Sequence, residues 1–205
     1  MFNLWQGSMT LGLAIGIFVW GLILYSVFKF RKKGNSIPSQ TQYHVPLEIT
    51  YTVIPILIVI GLFYFTIQSE HKVDKIVPNP AVKVTVTAFQ WGWKFNYPKQ
   101  NITIATTNPG SRPTLVIPTK VPVRINLVSS DVIHSFYVPK FLFKRQAIPG
   151  VKNTFDFNAT KPGTYLGECS EFCGLHHDNM LFYVKAITPA AFKVWLASNH
   201  GKATA

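Results

Sequence analysis

The chain has 205 residues, enough for one ordinary domain and a smaller attachment. Its mean hydropathy is positive, 14% of its residues are aromatic and its formal charge is +12, which together exclude a disordered chain and a purely soluble acidic one. The apolar residues are concentrated in two stretches that end near residue 67, and the remainder of the chain reads as soluble.

The first stretch, Met9 to Phe28, is 20 residues long and carries no charge. At ~1.5 Å per residue it matches the ~30 Å hydrocarbon core of a bilayer. The second, Ile49 to Ile67, has 19 uncharged residues interrupted only by Pro55. A buried helix of a soluble protein would show a polar face over such a length. Pro55 is expected to kink its helix, which neighbouring helices accommodate within a membrane. A cleaved signal peptide carries basic residues before its apolar run. Here Met1 to Thr10 has none, while Lys29, Arg31, Lys32 and Lys33 follow the run. That asymmetry puts the N-terminus outside, residues 29–48 inside and everything after residue 68 outside. The expected organisation is a transmembrane helical hairpin over residues 1–69, with helices at about 9–28 and 49–67, and an extracytoplasmic domain over 70–205.

After Gln68 the pattern changes. Val82–Phe89 alternates with period two, as a half-buried strand should. Similar runs recur at 93–97, 101–106, 115–118, 121–128, 134–138, 154–157, 164–167 and 181–187. Turn signals separate them: Asn108-Pro109-Gly110, Pro149-Gly150 and Pro162-Gly163. Many short strands with this punctuation predict a β-sandwich or barrel. A terminal helix is expected over about 189–198, with Thr188 as N-cap and Pro189 at the first helical position.

The chemistry is concentrated in Cys169-Ser-Glu-Phe-Cys-Gly-Leu-His-His-Asp-Asn-Met180, which holds both cysteines of the chain, two adjacent histidines and a methionine. A disulfide is one reading, since the domain faces an oxidising compartment. On an extended strand, however, residues four apart lie about 13 Å from one another, beyond disulfide reach. A disulfide also gives no reason for His177 and Met180. Two Cys and two His would satisfy structural zinc, but a thioether is a poor zinc ligand. Cys, His and Met together point to copper, which soft sulfur and imidazole select. His134, in Asp131-Val-Ile-His-Ser-Phe136, supplies the second imidazole of a cupredoxin-type site. One cysteine is then in excess for a single ion, and two thiolates bridging two coppers would use it.

With Asp131-Val-Ile-His-Ser upstream, Cys-Ser-Glu-x-Cys-Gly-x-x-His-x-x-Met resembles the dinuclear CuA motif of the family of cytochrome c oxidase subunit II. The resemblance also takes in the hairpin, Gln90-Trp91-Gly92-Trp93, Ala147-Ile148-Pro149-Gly150 and Pro162-Gly163-Thr164-Tyr165. It implies a two-helix anchor followed by a Greek-key cupredoxin β-sandwich and a short C-terminal helix. It also implies that Cys169 and Cys173 bridge both coppers. His134 and Met180 would complete one, and His177 with the Glu171 backbone carbonyl the other. The Glu171 carboxylate would hold a magnesium ion at the contact with subunit I, as suits a hard cation. Trp91 would receive the electrons, with Asp131 beside it in donor docking. Glu48 would stand at the mouth of a proton pathway into subunit I, against its default reading as a flanking charge.

The implied partners are oxidase subunits I and III, a cytochrome c or other small electron donor, and the lipid bilayer, with no nucleic acid. Haem belongs to the partner subunit, because the chain has no C-x-x-C-H. The implied role is to take electrons from the donor and pass them to subunit I, where oxygen is reduced. A copper-free quinol oxidase subunit II and a membrane-tethered copper delivery protein are the rival functions, and the full set of ligand side chains opposes the first. His44, His71 and His200 lie outside any motif and read as solvated, and His176 takes no ligand role. Residues 70–205 hold sixteen Lys and Arg against seven Asp and Glu, a formal +9. Such a field would repel a strongly basic donor, so an acidic, near-neutral or tethered one is expected, docking through apolar contacts around Trp91.

Overall fold

The computed structural model describes residues 2–34, 37, 40–108 and 110–204. Pro109, in the middle of one expected turn, lies outside the described residues, as does part of the segment between the two apolar stretches. Contacts divide the chain into two compact units, residues 1–73 and residues 74–205.

In the first unit the apolar stretches are helices, α1 (Phe2–Lys29) and α2 (Val45–Val73), with no buried residue in either. Both are long and apolar enough to cross a membrane. They outrun the uncharged stretches because a helix satisfies its own backbone groups in polar surroundings as well as in lipid. α2 continues as one helix through Pro55. Its start is locally fixed. His44 Nδ1 accepts the Leu47 N–H at 3.2 Å, and Glu48 Oε1 accepts the His44 N–H at 3.0 Å. This reciprocal pair resembles a capping box, so His44 acts as a helix cap and is not simply solvated.

The second unit is a sandwich of two sheets. In chain order the strands are β1 (Val82–Phe89), β2 (Gly92–Tyr97), β3 (Ile102–Ala105), β4 (Thr114–Pro118), β5 (Val123–Ser129), β6 (His134–Val138), β7 (Phe143–Ala147), β8 (Asn153–Phe157), β9 (Gly163–Cys169), β10 (Leu181–Ile187) and β11 (Ala203–Thr204). One sheet has the order β11-β3-β2-β1-β5-β8, the other β4-β10-β9-β6-β7. The pairs β1/β5, β4/β10 and β3/β11 are parallel and the rest antiparallel. The period-two pattern sorts inward from outward side chains: Val84, Val86 and Ala88 of β1 are fully buried. β7 escapes sequence reading because Phe-Lys-Arg-Gln-Ala is mostly polar. As an edge strand bonded only to β6, it leaves Lys144 and Gln146 exposed. α3 (Pro189–Asn199) comes after β10, and Thr188 caps it by accepting the Ala191 N–H at 3.3 Å.

Between the sheets lies an aromatic core. Trp93, Phe95, Phe136 and Phe182 are all fully buried. Phe136 and Phe182 stack with ring centroids 4.8 Å apart, and the Trp93 ring stands 5.0 Å from Phe182. Each such ring contributes about 1.5–3 kcal/mol through burial. Gly167 is required beneath them, since a Cβ there would come within 2.2 Å of the Phe182 ring. This core forms the floor beneath the residues of the copper-type motif.

Candidate metal centre

β6, β9 and β10 position the cluster. In the antiparallel β6/β9 ladder Phe136 pairs with Cys169, and just beyond it the Ser170 N–H reaches Ser135 O at 3.3 Å. That register brings His134 beside Cys169 across 35 residues of chain. Leu181 of β10 pairs with Glu168 of β9, and the Cys169 N–H donates to Met180 O at 3.1 Å. The loop from Ser170 to Asn179 is therefore pinned at its base, with Cys169 and Met180 side by side. A short 3₁₀ turn, His177–Asn179, brings His177 back over Cys173.

The distances describe a convergent donor set. The two sulfurs are 3.9 Å apart, and both thiols are free. A disulfide needs an S–S length of about 2.05 Å, so this is a dithiol. Cys169 Sγ lies 3.8 Å from His134 Nδ1 and 3.2 Å from Glu171 O. Cys173 Sγ lies 3.4 Å from His177 Nδ1 and 3.8 Å from Met180 Sδ. One ligand atom each from His134, Cys169 and Cys173 falls within 4.8 Å of the others, and all three residues are buried. Two thiols, imidazole nitrogens and a thioether facing one space form the soft donor set that copper prefers.

The surroundings orient these donors. His134 Nε2 donates to Asp131 Oδ1 at 2.8 Å, which leaves Nδ1 turned to the sulfurs. A carboxylate behind a ligating histidine fixes its ring and raises its basicity. Asp131 is held in turn by the N–H groups of Gln90 at 2.6 Å and Val132 at 2.7 Å. Gln90 Nε2 and Trp91 Nε1 both donate to Cys173 O, at 2.8 and 3.0 Å. Gly174 allows this approach: its φ is +114°, and a Cβ there would stand 3.1 Å from the Trp91 ring. His176 sets its ring edge-on to Trp91 with centroids 4.9 Å apart. Trp93 is core, as strand tryptophans usually are, and its Nε1 donates to Met180 O at 3.2 Å.

Protonation is set by the same contacts. Burial disfavours the imidazolium of His134, yet Cys169 and Asp131 beside it hold its pKa above the ordinary value. Burial also disfavours thiolate at Cys169, but His134 and the backbone at Glu171 and Ser135 outweigh it and pull the thiol down to about 7. Burial and the neighbouring Cys169 push Cys173 up to about 12. Asp131 opposes its burial through its bonds to His134, Gln90 and Val132, which hold its carboxyl below the ordinary range. The proton is thus released more readily from Cys169 than from Cys173.

All six expected copper ligands converge here, and Trp91 and Asp131 join them. The Glu171 carboxylate accepts from Gln146 Nε2 at 3.1 Å and lies 3.7 Å from Lys144 Nζ. Glu48 lies in the helical unit, on the first turn of α2. Sequence reasoning missed Gln90, Gly174 and the role of Asp131 behind His134. The one available signal was the Asp131-x-x-His134 spacing.

A β-sandwich with a buried dithiol, imidazole and thioether cluster, carried on a hairpin of apolar helices, defines a membrane-anchored, cupredoxin-like metal domain. A family profile for the periplasmic domain of cytochrome c oxidase subunit II matches residues 110–187, and one for its transmembrane domain matches residues 2–68. The chain is 38% identical to a probable cytochrome c oxidase subunit 2 of Streptomyces avermitilis over 231 aligned positions, covering 93% of this chain and 72% of that one. It is 33% identical to cytochrome c oxidase subunit 2 of Mycobacterium tuberculosis, covering 95% and 70%. The crystal structure of the periplasmic domain of subunit II of cytochrome oxidase from Bradyrhizobium japonicum superposes with a TM-score of 0.54 at 28% identity, covering 60% of this chain and 96% of that one. The chain belongs to the family of cytochrome c oxidase subunit II. It is accordingly an integral membrane subunit of an oxidase, with its C-terminal domain on the periplasmic side. Its family role is electron transfer through copper, and subunit I and cytochrome c are its family partners.

Proposed function

We propose that this chain holds two copper ions between Cys169 and Cys173 and uses them to receive electrons at Trp91 and deliver them to subunit I. The observation that carries this reading is the pair of free thiols 3.9 Å apart, each with its own imidazole nitrogen within 3.8 Å. A mononuclear cupredoxin site needs one thiolate, and this site has two. His134 and Met180 would hold one ion, and His177 with the Glu171 carbonyl would hold the other. Bound there, copper would supply one-electron redox chemistry.

The chain's own residues do the rest. Asp131 holds His134 in one tautomer. The sandwich floor of Phe136 and Trp93 keeps water from the sulfurs. The Trp91 indole, half-buried and bonded to the Cys173 carbonyl, joins the surface to the thiol pair. The donor docks around Trp91 with Asp131 at its margin. The domain's +9 charge favours an acidic, near-neutral or tethered donor. The Glu171 carboxylate would hold a magnesium ion at the contact with subunit I. Glu48 serves as the mouth of a proton pathway, and subunit III completes the complex.

Copper analysis and electron paramagnetic resonance on the purified oxidase test the central claim. Two coppers per subunit II are expected, with one unpaired electron shared over both nuclei and a coloured, thiolate-linked absorption. Cys169→Ser should leave at most a mononuclear site of altered colour. One copper per wild-type chain would overturn the reading, and a colourless Cu(I) protein would favour copper delivery instead.

A further inference from the structure

His176, the histidine without a ligand role, stands against the residue proposed for electron entry. Its ring meets that of Trp91 with centroids 4.9 Å apart and planes at 87°, the T-shaped geometry that aromatic quadrupoles favour. The copper loop is laid against the indole at alternate residues. At Gly174 a Cβ would stand 3.1 Å from the Trp91 ring, and His176 makes the next contact, while Leu175 between them is 80% exposed. The turn that carries the His176 ring is closed by backbone bonds. Gly174 O accepts the His177 N–H at 3.2 Å, His176 O the Asn179 N–H at 3.1 Å and His177 O the Met180 N–H at 3.3 Å.

Trp91 needs a support of this kind. Its Nε1–H donates to Cys173 O at 3.0 Å. That bond fixes one point of the indole and leaves the tilt of the ring about that point to its neighbours. The indole is only partly buried against the core, so the sandwich does not hold it on every side. Gly174 has no side chain with which to grip it. Gln90 Nε2 donates to the same carbonyl at 2.8 Å and so steadies the acceptor, not the ring. His176 supplies a second point of contact, carried on a closed turn. Electron tunnelling falls exponentially with distance, so an indole that tilts away from the Cys173 carbonyl passes electrons more slowly.

We propose that His176 is a positioning residue for electron entry: its ring holds the Trp91 indole against the Cys173 carbonyl. This rests on the reading of Trp91 as the point of entry. His176 acts through Trp91, by the shape of its ring and whatever its charge. An edge-to-face pair biases one ring orientation over others by about two- to twelvefold. Loss of the ring should slow entry by a factor in that range.

The test uses the intact oxidase and a ruthenium-labelled cytochrome c of near-neutral charge, photoreduced while bound. Titration with the cytochrome separates its affinity from the first-order rate of copper reduction within the complex. His176→Ala should lower that rate about two- to twelvefold, with donor affinity and the copper electron paramagnetic resonance spectrum those of wild type. His176→Phe, which keeps a ring, should restore the rate, and His176→Asn, polar but ringless, should match His176→Ala. Trp91→Phe separates this proposal from the reading beneath it and should slow entry more than the ringless His176 variants do. A wild-type rate in Trp91→Phe would remove Trp91 as the point of entry, and the proposal with it. A slow Trp91→Phe beside a wild-type rate in His176→Ala would overturn the proposal alone. Weaker donor binding at an unchanged rate, or a His176→Phe as slow as His176→Ala, would overturn it too.

Discussion

Asp131→Asn probes the support beneath the metal ligands with almost no change of shape. The carboxylate accepts three short hydrogen bonds, from His134 Nε2 at 2.8 Å and the Val132 N–H at 2.7 Å on one oxygen and from the Gln90 N–H at 2.6 Å on the other, besides a longer one from the Ser129 hydroxyl at 3.5 Å. An asparagine has only one acceptor oxygen, so either the Oδ1 pair or the Gln90 N–H must face an amide NH₂. The His134 side chain is 0% exposed and Asp131 29%, so water makes good little of the loss on the histidine side. A charge-assisted bond of this kind is worth about 1.5–3 kcal/mol. Loss of a carboxylate behind a ligating histidine typically costs about 10–100-fold in metal affinity, which at ~1.4 kcal/mol per tenfold covers much the same range. Competition against a Cu(I) chelator should thus show affinity falling by one to two orders of magnitude. The metal-free protein adds a signature in pH. Asp131 helps raise the folded pKa of His134 above its ordinary value, so their attraction is fully present below the ordinary histidine range. It is lost as pH rises through the raised value. Asp131→Asn should therefore lower the thermal midpoint of the metal-free protein more at pH 5 than at pH 9. Copper affinity within twofold of wild type would refute the claim that Asp131 supports His134.

Three further outcomes are expected. Copper loading at pH 7 should release at least one proton per chain, because Cys173 is held protonated with its pKa pushed up to about 12 while metal binding requires thiolate; calorimetry in buffers of different ionisation enthalpy measures this, and zero release contradicts the assignment of Cys173 as a ligand. Glu48→Gln keeps an oxygen to accept the His44 N–H and so preserves the α2 cap, but it removes the titratable group; oxygen turnover should slow with the copper spectrum unchanged, and normal turnover would return Glu48 to a capping role alone. With a strongly basic cytochrome c as donor, electron transfer should be slow at low salt and should not fall as salt is added, since screening relieves repulsion; a fast rate that drops steeply with ionic strength would sink the donor reading.

The hairpin, the β-class of the domain and the ligand types were all legible in the sequence, because each depends on residues close together in the chain. Uncharged runs of 20 and 19 residues can hardly form anything but membrane helices. The period-two runs that mark β1, β6 and β10 match the observed strands residue for residue. Cys169, Cys173, His177 and Met180 fall within twelve residues, so their chemistry could be named before their geometry was known. β7 was hidden because an edge strand needs no apolar alternation, and His44 because a histidine cap leaves no strong local pattern. What only the tertiary structure decided is how distant segments meet. The β6/β9 register sets His134 against Cys169 across 35 residues, and the β1–β2 turn carries Gln90 and Trp91 to the Cys173 carbonyl across more than eighty. A one-residue slip of either strand would turn these side chains to the opposite face. Such pairings are chosen by packing of the whole sandwich around Phe136, Trp93 and Phe182, and no short stretch of sequence contains that choice.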